Sequence, residues 1–164
     1  MRIEKIMTKQ VATCKSQDSL HAAAHLMWEH DCGCVPVLDE KSKVIGVITD
    51  RDICMAAYFH QDTPLQALAV SSAMSKKTLT CNPEDTIDAA ERVMQVNKVR
   101  RIPVVNPDGR ILGILSLADI AREAAREQAL GKQEVTETEV VKTLAAVCDP
   151  QASKEGRKQL QFVS

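Results

Sequence analysis

Aromatic residues are nearly missing from this sequence: 164 residues include only Trp28, Tyr58, Phe59 and Phe162. Proteins that hold single-stranded nucleic acid stack its bases on aromatic rings, so stacking is excluded as the main binding device. An excess of charge of either sign is lacking too, because 21 lysines and arginines meet 22 aspartates and glutamates, for a formal net charge of −1. That balance removes the electrostatic case for a nucleic-acid or membrane partner, and any bound phosphate must be held by local groups. The opening Met1-Arg2-Ile3-Glu4-Lys5 sets charges around its apolar residues and lacks a long apolar core. It reads as neither a signal peptide nor a membrane span, and the expected location is cytoplasmic. Six cysteines are present, but without an export signal and in a chain too long to need staples they read as reduced thiols.

What is present is a duplication. Laid on itself with an offset of 67 and no gap, the sequence places Met7, Thr13, Cys14, Asp18, Ala22, Ala23 and Met27 on Met74, Thr80, Cys81, Asp85, Ala89, Ala90 and Met94. Pro36, Val37, Gly46, Asp52 and Ile53 likewise fall on Pro103, Val104, Gly113, Asp119 and Ile120. Each copy opens with a short extended piece, around Val11–Cys14 or Leu79–Cys81. A helix follows, in which Leu20, Ala23, Ala24, Met27 and Trp28, or Ile87, Ala90, Val93 and Met94, recur at helical spacing. Asn82 before Pro83 predicts the start of the second-copy helix, a capping side chain followed by proline at the first helical position.

Two apolar runs then read as strands, Val35–Leu38 with Val44–Ile48 and Ile102–Val105 with Ile111–Leu115. Asp39-Glu40-Lys41-Ser42 and Asn106-Pro107-Asp108-Gly109 join them as hairpin turns. A second helix begins at Thr49 or Ser116. The expected organisation is a first unit over 1–58, a connecting segment over 59–72 with a helix after Pro64, and a second unit over 73–124. A helical extension over 125–148 follows, amphipathic from Glu134 to Val147, and then a polar, flexible tail over 149–164. One such unit buries too little apolar surface to offset the entropy of ordering it, so the two are expected to pack together.

The junctions between strand and second helix read Gly46-Val47-Ile48-Thr49-Asp50-Arg51-Asp52 and Gly113-Ile114-Leu115-Ser116-Leu117-Ala118-Asp119. Both fit Gly-x-x-(Ser/Thr)-x-x-Asp. Glycine permits close backbone approach, the hydroxyl residue stands where a helix N-terminus offers unpaired N–H groups to an anion, and an aspartate one turn on can accept from the vicinal hydroxyls of a ribose. The alternative is a capping box, which needs no ligand. The usual capping acid is Glu or Gln, and the shorter Asp in both copies favours a ligand role over capping alone.

The gapless duplication and both junction motifs resemble a tandem pair of cystathionine-β-synthase-type (CBS) domains, the arrangement called a Bateman module, over about residues 1–124. Ile6-Met7-Thr8, Val35-Pro36-Val37 and the run from Gly46 to Ile53 carry the resemblance. It implies an α/β (α+β) fold of two β-α-β-β-α units about a pseudo-two-fold axis, with clefts that in many members bind AMP, ADP, ATP or S-adenosylmethionine. The hydroxyl and acid that contact phosphate and ribose in that family map onto Thr49, Asp52, Ser116 and Asp119. Arg51 lies inside the first motif, where it can pair with a phosphate. The second motif has Leu117 and Ala118 instead, so Arg100 and Arg101 are the substitute cations, their alternative reading being solvated surface charge. The purine is expected between Val35-Pro36-Val37 and Ile102-Pro103-Val104, which also read as core strands. CBS pairs commonly self-associate through helical faces, so a homodimer is expected.

Cys32-Gly33-Cys34 with Cys54 hints at a metal or thiol site, but the second copy carries no cysteine at the matching positions, and structural zinc takes four ligands at recognised spacings. Cys14 and Cys81 read as small core residues, and His21 and His25 as exposed helical histidines. No nucleophile, base and orienting group form a catalytic constellation. The expectation is a non-enzymatic, free-standing regulatory module that binds an adenine nucleotide or other adenosyl ligand, requires no cofactor or metal and acts on an unknown regulated protein. Two alternatives remain open: an interaction scaffold with vestigial clefts, and a thiol or zinc switch.

Overall fold

The structure, a computed structural model, describes residues 1–149. The expected polar tail lies outside the described residues apart from Asp149. Five helices and five strands form the mixed α+β fold read from the sequence. In the first copy the order is β1 (Cys14–Lys15), α1 (Leu20–Glu29), β2 (Cys34–Leu38), β3 (Val44–Thr49) and α2 (Asp50–Phe59). In the second it is α3 (Ile87–Asn97), β4 (Arg101–Val105), β5 (Ile111–Ser116) and α4 (Leu117–Ala129), with α5 (Glu137–Cys148) beyond.

Both hairpins pair antiparallel, Val37 against Gly46 and Val104 against Gly113. β1 joins β2 in parallel, whereas its counterpart is reduced to one parallel bridge, Cys81 with Val104. The Pro-Asp-Gly turn closes with Gly109 at φ +82°, where a side chain is disfavoured. α1 buries Leu20, Ala23 and Met27, spaced to share one face. Trp28, grouped with them by spacing, instead stands 85% exposed.

Two predicted helical features are not formed. α3 starts at Ile87, capped by the Thr86 hydroxyl, which accepts from Ala89 N at 3.2 Å. Asn82-Pro83 lies in the turn before it, where Asn82 N donates to the Asp85 carboxylate at 2.7 Å. No helix follows Pro64. The carbonyls of Leu65 and Leu68 accept from His21 N and Leu20 N at 3.3 and 2.8 Å, satisfying donors that the start of α1 leaves unpaired, and only a 3₁₀ turn at Val70–Ser72 forms.

The two halves exchange their leading segments. Ile3, in a 3₁₀ turn at Ile3–Lys5, is fully buried in the core built around Ile87, Met94, Ile102, Leu115 and Ile120. Its repeat mate Val70 is fully buried in the core around Leu20, Val35, Val37 and Ile48. The hydrogen bonds repeat with the sequence: Ile3 N donates to Asp85 O at 3.0 Å and Val70 N to Asp18 O at 2.8 Å. Thr8 and Ile114 exchange N–H···O bonds of 3.0 and 2.9 Å, as Ser75 and Val47 do at 2.9 and 3.2 Å. The motif glycines make this possible. A Cβ on Gly46 meets Ser75 O at 2.5 Å, and one on Gly113 meets Thr8 O at 2.8 Å. The close approach these glycines permit is thus made by the chain itself.

α5 packs across α3 and α4 and adds Val135 and Val147 to the second core. The buried Glu127 carboxylate receives Val135 N at 2.8 Å and fixes the turn that leads into it. Thr143 on α5, fully buried, donates to Glu91 Oε1 at 2.9 Å and accepts from Gln95 Nε2 at 2.8 Å. No helix among the described residues is long and apolar enough to cross a membrane.

Burial holds the Glu91 carboxyl above the usual carboxylate range, against the opposing effect of the Thr143 hydroxyl, with Glu139 and Asp88 adding like charge. A carboxyl whose pKa is raised by folding binds its proton more tightly in the folded state, so stability falls as pH rises through that raised pKa. Glu91→Gln keeps an acceptor for Thr143 without the charge. Thermal melts from pH 4 to 8 should show the variant gaining over wild type with rising pH, and a constant gap would contradict the assignment.

Candidate functional site

Both junction motifs end in capping boxes. Thr49 Oγ1 accepts from Asp52 N at 3.2 Å, while Asp52 Oδ2 receives Thr49 N at 2.9 Å and Thr49 Oγ1 at 2.6 Å. Ser116 and Asp119 repeat these contacts at 3.1, 2.8 and 2.6 Å. The shorter Asp is expected to favour a ligand role over capping alone, and α5 supplies a comparison, since its capping box uses a glutamate. There Glu139 Oε2 receives Thr136 N at 3.1 Å, no closer than either aspartate manages. Asp119 is engaged further by the Arg122 guanidinium.

The open space lies beside the first motif, one residue from the capping pair. A cleft of about 680 Å³, within the range that holds small ligands, is lined from six directions. Cys34 comes from β2, Asp50 and Arg51 from the first turn of α2, and Lys77 from the irregular stretch before α3. The stretch from Val96 to Arg100 comes from the end of α3 and its exit turn, Arg101 from β4, and Val147 and Asp149 from the end of α5. Five basic side chains, Arg51, Lys77, Lys98, Arg100 and Arg101, thus face two carboxylates, with Val96, Val99 and Val147 as apolar wall.

Local backbone sets these positions. Asp50 N donates to Gly33 O at 3.3 Å, and the equivalent bond, Leu117 N to Arg100 O at 2.9 Å, ties Arg100 to the start of α4. Lys98 closes α3 in the left-handed conformation, φ 55°, which turns the chain toward the cleft. Lys77 Nζ donates to Asn97 Oδ1 at 2.9 Å.

Of the residues expected from sequence, the cleft gathers Arg51, Arg100 and Arg101. Thr49, Asp52, Ser116 and Asp119 are turned onto their own helix ends and are not among its lining. Val35, Val37, Ile102 and Val104 are fully buried, and Pro36 and Pro103 lie buried beside them. These six residues are core strands and not open walls, with Val35 and Val37 in one core and Ile102 and Val104 in the other. Lys77 and Lys98 were missed. Neither lies in a repeated motif, and their repeat mates Gln10 and Asp31 carry no positive charge.

The thiols divide by burial. Cys14 and Cys81 are buried in the two cores, and desolvation pushes both up to about 12. Burial likewise pushes Cys34 up to about 11. Among the described residues no three His, Cys, Asp or Glu side chains gather to hold a metal.

The exchanged, duplicated architecture decides the family, since the CBS domain sequence model matches residues 3–58 and again 70–126. The chain belongs to the CBS domain family. Its CBS pair is 32% identical over 132 residues to the CBS domain-containing protein YhcV of Bacillus subtilis, covering 79% of this chain and 89% of YhcV. It superposes on the CBS domain pair of protein MJ0100 in complex with 5′-methylthioadenosine and S-adenosyl-L-methionine with a TM-score of 0.67 at 26% identity, covering 75% of this chain and 98% of that one. CBSX2 of Arabidopsis thaliana in complex with AMP gives a TM-score of 0.66 at 25% identity, covering 77% and 98%. Against other relatives the chain spans only 23% of their length. These include an inosine-5′-monophosphate dehydrogenase of Korarchaeum cryptofilum, 31% identical over 119 residues, and a homoserine O-acetyltransferase of Methanohalobium evestigatum, 28% identical over 120 residues.

If Asp52 caps α2, Asp52→Ala should lower stability by about 1 kcal/mol with no ligand present, the usual cost of losing a cap. Urea denaturation of ligand-free protein measures this. An unchanged midpoint would reassign Asp52 from helix end to ligand.

Proposed function

We propose that this CBS pair is a non-enzymatic regulatory module whose cleft binds a phosphate-bearing adenine nucleotide. The observation that carries the reading is the set of five basic side chains around one cleft in a chain with no net positive charge. Arg51, Arg100 and Arg101 all line it, and guanidinium forks suit phosphate oxygens. The valines beside them offer a purine an apolar wall. In this reading Arg51, Arg100 and Arg101 contact phosphate, while Thr49 and Asp52 hold the helix end that presents Arg51. Ser116 and Asp119 cap α4, whose first turn offers Leu117 and Ala118 and no cation.

Relatives support the class of ligand, one CBS pair being solved with AMP and another with S-adenosyl-L-methionine and 5′-methylthioadenosine. The cations favour the phosphorylated member over the sulfonium, which brings positive charge into a positive cleft. The non-enzymatic reading is supported by the length comparison. A dehydrogenase and an acetyltransferase catalyse unrelated reactions yet share a segment like this one, so the segment is not what performs either. No cofactor is required.

Homodimerisation belongs to the same proposal. Trp28, Met55, Tyr58 and Phe59 expose an apolar face on α1 and α2, the ring of Tyr58 meeting that of Phe59 edge-on at 5.2 Å. The equivalent face of the second unit, on α3 and α4, is covered by α5. A second copy supplies the matching cover for the first.

At about 100 times its dissociation constant a ligand adds about 2.7 kcal/mol, worth several degrees in melting temperature for a chain of this size. ATP, ADP or AMP should give that shift, S-adenosylmethionine a smaller one, and Arg51→Ala should reduce the nucleotide shift. Flat melts with all four ligands would overturn the reading. Trp28→Glu should convert a dimer to a monomer in light scattering at tens of micromolar protein, and an unchanged mass would remove this face as the interface.

A further inference from the structure

The cleft already contains an anionic group, supplied by the chain. α5 ends at Cys148, so its last carbonyls lack helical partners and carry the negative end of the helix dipole. Two cleft cations are committed to that end. Lys98 Nζ donates to Ala146 O in a short contact and stands 3.9 Å from the Asp149 carboxylate, and Arg100 Nη2 lies 3.3 Å from Cys148 Sγ. The same two side chains line the cleft beside Arg51, Arg101 and Lys77.

Position makes these contacts an addition to the repeat. Arg100 and Lys98 follow α3 where the first copy has Gly33 and Asp31, so the first copy offers no cation at this point and has no fifth helix to need one. α5 is held elsewhere by a different set of contacts, Thr143 with Glu91 and Gln95 and Val135 with Glu127. Within its last turn only Val147 enters the second core, so the turn can leave the cleft at the cost of that one side chain while the body of the helix stays docked. The Lys98–Asp149 pair is itself about half exposed on the carboxylate side, the kind of surface contact that contributes little to holding the turn.

We propose that the last turn of α5 is a tethered anion seated among the phosphate-binding cations, and that a bound phosphate group displaces it. Ligand and helix end compete for Lys98 and Arg100, so occupancy of the cleft is converted into release of residues 146–149. This rests on the cleft being an anion site, and it assigns the output of binding to α5, outside the repeated units. Lys98 and Arg100 thereby acquire a double role, latch when the cleft is empty and phosphate ligands when it is filled.

The test uses the full chain and two probes, inorganic triphosphate and ATP, with affinity from calorimetry and backbone protection from hydrogen exchange. Both probes should raise exchange at 146–149 while leaving 137–143 protected. Asp149→Asn, which removes the competing charge at a half-exposed position, should tighten both probes about two- to fivefold, the size expected of an exposed ion pair. Lys98→Asn, a residue that tolerates the left-handed conformation, should weaken both probes and raise exchange at 146–149 before any ligand is added. Unchanged exchange at saturation, or wild-type affinity in Asp149→Asn, overturns the latch. If triphosphate releases α5 but ATP binds no tighter than triphosphate, the latch stands and the adenine reading falls. Should ATP bind with 146–149 still protected, the nucleotide reading stands and the latch falls, and if neither probe binds, both are lost.

Discussion

Reciprocal burial of Ile3 and Val70, each in the core of the opposite half, is the contact on which the rest of the molecule depends. A fully buried aliphatic side chain contributes about 1.5–3 kcal/mol relative to an exposed one, and each is accompanied by the paired backbone bonds of Thr8 with Ile114 or Ser75 with Val47. Neither half completes its core from its own contiguous sequence. The exchange also fixes the relation of the two units, because a segment of a few residues cannot reach the opposite core unless the hairpins lie side by side. Lys43 and Arg110, which are repeat mates, meet in an isolated bridge where the hairpin turns adjoin, as expected if the pseudo-two-fold axis passes between them. The cleft is a consequence of this clamp, since it opens where Cys34 and Arg101, also repeat mates, approach each other from the two sheets.

The duplication was legible because its determinants are spaced identically in both copies: the glycine that admits the partner segment, the hydroxyl and aspartate that cap the next helix, and the proline in the middle of β2 and β4. What the motif meant was harder to read. Glycine and Ser/Thr-x-x-Asp are compatible with a ligand or with the chain's own backbone, and the distances favour the backbone for both, with Ser75 and Thr8 against the glycines and the caps closed on themselves. Arg51, Arg100 and Arg101 were legible as cations close to the motif. Lys77 and Lys98 were not, because only the turn at the end of α3 and the path of the chain before α3 bring them to the same space. The absent helix after Pro64 has the same origin. Its propensity is local, but its carbonyls are claimed by the start of α1.

α5 explains why two copies of one unit have diverged in the faces they show. Where α1 carries Ala24 and Trp28, α3 carries Glu91 and Gln95, and these two polar side chains are spanned by Thr143 from α5. A buried carboxylate costs free energy unless it is hydrogen-bonded, so Glu91 is tolerable only with α5 in place, and α5 is located only where Thr143 finds its two partners. The first copy, with no such partner among the described residues, shows an apolar surface there. The asymmetry therefore follows from one added helix and not from a difference in the repeated fold.

The same helix brings its negative end to the cleft where five basic side chains crowd together. Five basic side chains around a cleft repel one another, and groups of the chain itself offset part of that repulsion. The end of α5 does so with a helix dipole, a carboxylate and a carbonyl directed at Lys98 and Arg100. A stabilising contact of this kind is of necessity a competing one, because any phosphate that neutralises those cations removes the reason for the turn to remain. In the proposed reading, the group that offsets the charge of the cleft cations is also the group that a bound phosphate displaces.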